Sequence, residues 1–229
     1  MPSEKFKTSA VGPAYSRGNA PGHLRSGHRT TTEDTMGQAP PTSIQQTWRE
    51  HEKPFTAVIT QVRDWDAPSP CEGWAARDVL AHVIDTERDF LRDHGHPLPD
   101  GAPADSSGSA VDQEPSQRWF AHAAAVDALL ADESIADERF DGFFGPTTIG
   151  DTWARFYCFD LLVHRWDIGT SQGLRVDLSD EELAAIDDAV DGFGEHAYMP
   201  GIFGPPVEVG TDASRQVQVL ARTGRHATS

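Results

Sequence analysis

The stretch Phe159-Asp160-Leu161-Leu162-Val163-His164-Arg165-Trp166-Asp167 constrains this chain more than any other, because it sets ionisable residues within its most apolar helix. From Trp153 to Ile168 apolar residues fall on nearly every side, the pattern of a helix buried all round. Asp160 and His164 are four residues apart, so they share a face one turn apart, and Asp167 continues the stripe. A carboxylate buried without a partner is strongly destabilising, so a core Asp must be paired or must hold a cation. An acid and an imidazole at this spacing can both ligate one metal ion inside a helical bundle. A plain Asp–His hydrogen bond meets the same spacing, and the pair alone does not choose between them.

A second segment supplies another ligand-type side chain. Cys71-Glu72-Gly73-Trp74 reads as a turn, and a helix is predicted from Ala75 to Arg92, with Asp78 near its start where an acid suits the helix dipole. Its core stripe is Val79, His82, Val83, Thr86 and Phe90, at helical spacing. His82 therefore points inward, either as a core histidine bonded to a backbone carbonyl or as a third ligand.

The rest of the chain parses into further helices. One is predicted over Ser43–Arg63, with Ile44, Trp48, His51, Phe55, Val58, Ile59 and Val62 on its stripe and Pro54 as a kink point. A Gly/Pro/Asp/Ser-rich loop from His94 to Gln113 is long enough for a lid. A helix over Pro115–Asp132 begins with proline, and a loop containing Asp141-Gly142-Phe143-Phe144-Gly145-Pro146-Thr147 leads into the helix Asp151–Ile168. Ser179-Asp180-Glu181-Glu182 reads as a capped start of a fifth helix to His196, and Ala213–Arg222 as a short last one. Residues 1–40 lack apolar periodicity and are rich in Gly, Ser, Thr, Pro and Arg, so they are expected to be disordered. Met36 stands just before the ordered pattern and offers an alternative start.

The net charge of −17 argues against nucleic acid or an anionic membrane as partner. No apolar run approaches membrane-spanning length. The two cysteines, Cys71 and Cys158, make no disulfide framework and are read as reduced thiols, which together with the composition suits a cytoplasmic protein. Arginine outnumbers lysine 16 to 3, as in proteins of high-GC genomes.

Three separated motifs resemble one family. Ser69-Pro70-Cys71-Glu72-Gly73-Trp74, Asp78-Val79-Leu80-Ala81-His82 and Asp160-Leu161-Leu162-Val163-His164-Arg165-Trp166-Asp167 are similar to the DinB-like superfamily. The branch that they resemble is the metal-binding proteins related to the N-terminal domain of mycothiol-dependent maleylpyruvate isomerase. Gly201-Ile202-Phe203-Gly204-Pro205-Pro206-Val207, Thr211-Asp212-Ala213 and Gly224-Arg225 resemble the ending of single-domain actinobacterial members. The resemblance spans residues 43–226. It implies an all-α, up-and-down four-helix bundle with a short C-terminal helical extension. It also implies a divalent metal ion, zinc first among the expected ions, held by His82, Asp160 and His164. The isomerase branch usually carries Glu where this chain has Asp160, one methylene shorter.

Three protein ligands leave a coordination position open, as in catalytic zinc sites. The resemblance therefore implies a metal-dependent transferase or isomerase using a low-molecular-weight thiol such as mycothiol on a small electrophilic substrate. A metal-dependent hydrolase and a non-catalytic metal- or ligand-binding bundle are the alternatives, and homodimerisation is left open. A cavity beside the ion, capped by the 94–113 loop or the tail, is expected. Asp167 is read as orienting a ligand histidine or as a cap or salt-bridge partner; His51 and Asp85 are lesser candidates. Arg215, Arg222 and Arg225 are read either as surface residues or as a meeting point for an anionic thiol. His94, His96, His122 and Trp166 are assigned solvated or packing roles.

Overall fold

Local signals set the helix boundaries. Ser43 Oγ accepts the Gln46 amide at 3.2 Å and starts α1, Ile44–Ile59, which continues through Pro54. α2, Ala76–Asp93, begins where the Asp78 carboxylate folds back to accept the Ala75 amide at 2.9 Å. α3, Pro115–Leu130, opens on its proline, and the single turn α4, Glu133–Ala136, follows. Ser179 and Glu182 cap α7, Asp180–Phe193, reciprocally: Ser179 Oγ accepts the Glu182 amide, and the Glu182 carboxylate accepts the Ser179 amide. A 3-10 segment, Gly194–Tyr198, extends α7, and Ser214 caps α8, Arg215–Arg222. The computed structural model describes residues 43–99, 114–142, 144–198 and 203–227. The expected disorder of residues 1–40 and most of the proposed lid, residues 100–113, lie outside them.

Two segments differ from the sequence reading. The loop around Asp141 forms an antiparallel hairpin of β1, Arg139–Gly142, and β2, Gly145–Thr148, with Arg139 opposite Thr148. Its Gly and Pro residues mask strand alternation, while Gly145, at φ +107°, allows the chain to reverse. The helix expected over Asp151–Ile168 is built in three parts: α5, Ile149–Thr152; a π-helical turn, Trp153–Tyr157; and α6, Cys158–Ser171. The Cys158 amide donates to the Trp153 carbonyl, five residues back, and this wide turn coincides with the close Trp153 and Tyr157 rings, 4.7 Å apart.

Helices α1, α2, α3 and α6 pack together, with α1 and α2 each against both α3 and α6. Trp48, Phe55, Val79, Leu80, Leu91, Trp119, Leu130, Trp153 and Leu161 fill the interior between them. Phe159, Leu162, Val163 and Trp166, on the other side of α6, form a second core with Leu183 and Ile186 of α7 and Leu220 of α8. Apolar layers thus enclose α6 on both sides, and every residue from Leu161 to Gly169 is buried. Arg165 crosses to α7 in a two-point ion pair with Glu182, at 2.9 and 2.8 Å. No helix among the described residues is long and apolar enough to cross a membrane.

The interior between these helices also holds a polar pair that no sequence pattern announces. Glu87 Oε2 and His122 Nε2 lie 2.6 Å apart, both side chains 1% exposed. Burial, helped by the charge of Asp160, pushes the Glu87 carboxyl well above the usual range. Burial also lowers His122 to about 3. Both directions describe a neutral pair in which Glu87 donates and His122 Nε2 accepts.

Candidate metal centre

The expected stripe on α6 and the inward face of α2 meet where these two helices pack. His82 Nε2 lies 3.8 Å from Asp160 Oδ2, and the His82 and His164 rings stand edge to face at 5.3 Å. One ligand-type atom from each of His82, Asp160 and His164 falls within 4.8 Å of the other two. The side chains of His82 and Asp160 keep 16% and 28% exposure, so this side of the cluster is reachable from solvent, while His164 is buried. Trp74, from the turn before α2, walls His82 with ring centroids 5.1 Å apart.

A second cluster lies on the far side of the same imidazole. Asp167 is completely buried, and its Oδ2 accepts from His164 Nδ1 at 2.9 Å. Arg225 donates to both Asp167 oxygens, from Nε at 3.2 Å and Nη2 at 2.9 Å. Cys71 Sγ lies 3.2 Å from Asp167 Oδ2 and 3.5 Å from Arg225 Nη2. Cys71, His164 and Asp167 thus form another set of metal-ligand types within 4.8 Å of one another.

Charge separates the two sets. The Cys71–His164–Asp167 set already holds a cation, the Arg225 guanidinium, and an added metal ion would be repelled by it. The His82–Asp160–His164 set offers a carboxylate oxygen and two imidazoles, and Arg225 acts on it through charge while its hydrogen bonds go to Asp167, Cys71 and Thr223. One imidazole is kept neutral, since burial and then the charge of His164 lower His82 to about 4. Neutral histidine is the form that binds metal. Burial opposes a charge on His164, yet its bonds to Asp167 and Cys71 and the nearby carboxylates raise it to about 10. With Nδ1 committed to Asp167, Nε2 is the nitrogen left for a ligand. Burial also opposes ionisation of Asp167, but Arg225 and His164 hold it well below the usual carboxylate range. Two imidazoles and a carboxylate make a donor set that suits a divalent ion of borderline softness, and binding it would release the proton that His164 otherwise holds.

Other candidates find different places. His51 Nδ1 is bonded to the Thr47 carbonyl at 2.8 Å. The Asp85 side chain is 63% exposed and faces Arg118. His94 Nδ1 meets the Phe90 carbonyl, and His96 pairs with Glu138. Arg215 and Arg222 are ion-paired with acids of α7, Asp180 for the first and Asp187 and Asp191 for the second. Two surface depressions lie along α1, one of them reaching α3, and neither is lined by His82, Asp160 or His164.

The sequence reading missed two members of the cluster. Cys71 reads as an ordinary thiol, and Arg225 as a surface residue or a meeting point for an anionic thiol, whereas in the fold Arg225 is only 7% exposed and bonded to Asp167. The signal available for Arg225 was the preceding Gly224, a helix-stop residue that turns the chain back after α8.

A family model described as mycothiol maleylpyruvate isomerase N-terminal domain matches residues 48–169. No curated protein and no solved structure matches significantly.

Proposed function

The chain belongs to the family of the mycothiol maleylpyruvate isomerase N-terminal domain, and from that premise we propose that it is a metal-dependent transferase or isomerase acting with a low-molecular-weight thiol of the mycothiol type. The packing of α1, α2, α3 and α6 is read as that of the up-and-down four-helix bundle of DinB-like proteins. Its metal ligands in this reading are His82, Asp160 and His164, and zinc is the first ion to test.

One observation carries the reading. Three ligand-type atoms from two helices converge beside solvent, while Arg225 is bonded to Asp167, the residue that holds His164 Nδ1. When bound there, a divalent ion would lower the pKa of a coordinated thiol or water toward neutrality. The residues of the chain do the remaining work. His82 and Asp160 bind from the open side, Asp167 fixes the orientation of His164, and the Trp74 ring shields His82. A hydrolase would use the same ligands, so the electrophile distinguishes the two activities.

Purified protein should contain about one divalent ion per chain, and His82→Ala should lose it while keeping its helical circular dichroism. With mycothiol and a panel of small electrophiles, the loaded protein should form conjugate or isomerised product faster than His164→Ala. Equal rates across the panel would leave a metal-binding bundle alone.

A further inference from the structure

The matched family region ends at residue 169, yet Asp167 has its counter-charge on a residue 58 positions further along the chain. That residue is delivered by a defined stop. The Arg225 amide donates to the Leu220 carbonyl and the Gly224 amide to that of Ala221, the paired bonds of a Schellman ending to α8. Gly224 takes φ +82°, and a Cβ there would stand 2.8 Å from the Gly204 Cα. The turn carries the Arg225 side chain inward, where Nη1 is also held by the Thr223 carbonyl at 2.9 Å. Each end of the guanidinium is therefore fixed, and with it both oxygens of Asp167.

We propose that Arg225 is a positioning residue of the metal centre: through its two-point grip on Asp167 it fixes the ring of His164 so that Nε2 is presented toward His82 and Asp160. This inference rests on the metal reading above and extends it, since it makes the α8 ending a working part of the site. A histidine ligand whose remote nitrogen is bonded to a carboxylate is held in one tautomer and one orientation. Here that carboxylate is buried and is itself aimed by an arginine fork, which lysine cannot reproduce in geometry.

The test compares wild type, Arg225→Met and Arg225→Lys, each checked for folding by circular dichroism. Zinc affinity is measured by competition with a chelating dye, the visible spectrum is recorded with cobalt(II) in place of zinc, and His164 ring nitrogen signals are recorded by NMR without metal. Arg225→Met should bind zinc about 10- to 100-fold more weakly, the usual effect of losing such a partner. It should also shift the cobalt spectrum and change the His164 ring nitrogen signals in the metal-free state. Arg225→Lys, which keeps the charge but not the fork, should fall between the two. Folded Arg225→Met with wild-type affinity, cobalt spectrum and ring signals would overturn the proposal and leave Arg225 only neutralising Asp167. If Arg225→Met does not fold, Arg225→Lys decides, and an unchanged spectrum and affinity in it overturns the proposal. Should wild type bind neither zinc nor cobalt, the metal reading fails, and the ring signals still show whether Arg225 orients His164.

Discussion

At the residue scale the most informative side chain outside the candidate metal centre is Glu87. Burial raises its carboxyl pKa, so the protonated form belongs to the folded state and the ionised form to the unfolded chain. The stability that it contributes is complete below the ordinary carboxylate value. It is lost as pH rises toward and through the raised folded value. His122 acts in the other direction: lowered to about 3, it contributes stability above the ordinary histidine range that is lost as pH falls from there toward 3. Glu87→Gln keeps a neutral donor for His122 and removes the first dependence. Urea unfolding above about pH 7.5, where His122 is essentially neutral in both states, should show the variant gaining on wild type with rising pH. The gain should be about 1.4 kcal/mol per pH unit until the folded Glu87 value is passed. A flat difference would mean that Glu87 is ionised in the fold. The spacing of Asp160 and His164 and the stripe of α2 mark all three side chains as inward and ligand-type, and the family resemblance is what joins His82, Asp160 and His164 in one set. Glu87 was not legible in the same way, since a lone acid beside an apolar stripe reads as surface until a distant helix supplies His122.

At the element scale, the long helices could be read from periodicity and caps, and their ends differ from expectation by a few residues. The hairpin and the π turn could not be read, because each depends on tertiary contacts rather than local preference. The ending of α8 makes a sharper case. Alanine at position 224 would need a left-handed backbone and would drive its Cβ into Gly204. Gly224→Ala should therefore cost about 1–3 kcal/mol in chemical denaturation and weaken zinc binding as well, since Arg225 is the next residue. Stability lost without any change in affinity would separate the turn from the site.

At the scale of the whole molecule, a ligand that binds only the folded chain stabilises it by mass action. Zinc at about one hundred times its dissociation constant should add about 2.7 kcal/mol and raise the melting temperature by about 5–10 °C for a chain of this size. A chelator should reverse the shift, and His82→Ala should not show it. The charge arrangement has one more consequence, which concerns the order of assembly. Cys71 and Arg225 are 154 positions apart in sequence, and their contact closes the cluster at the middle of α6. While a ribosome is still making the chain, Asp167 must wait without the Arg225 fork. A product cut short before Arg225 would leave a buried acid with His164 but without its arginine, the kind of defect that opens a fold to proteases. The cluster thus ties the geometry of the candidate site to synthesis of the chain beyond α8.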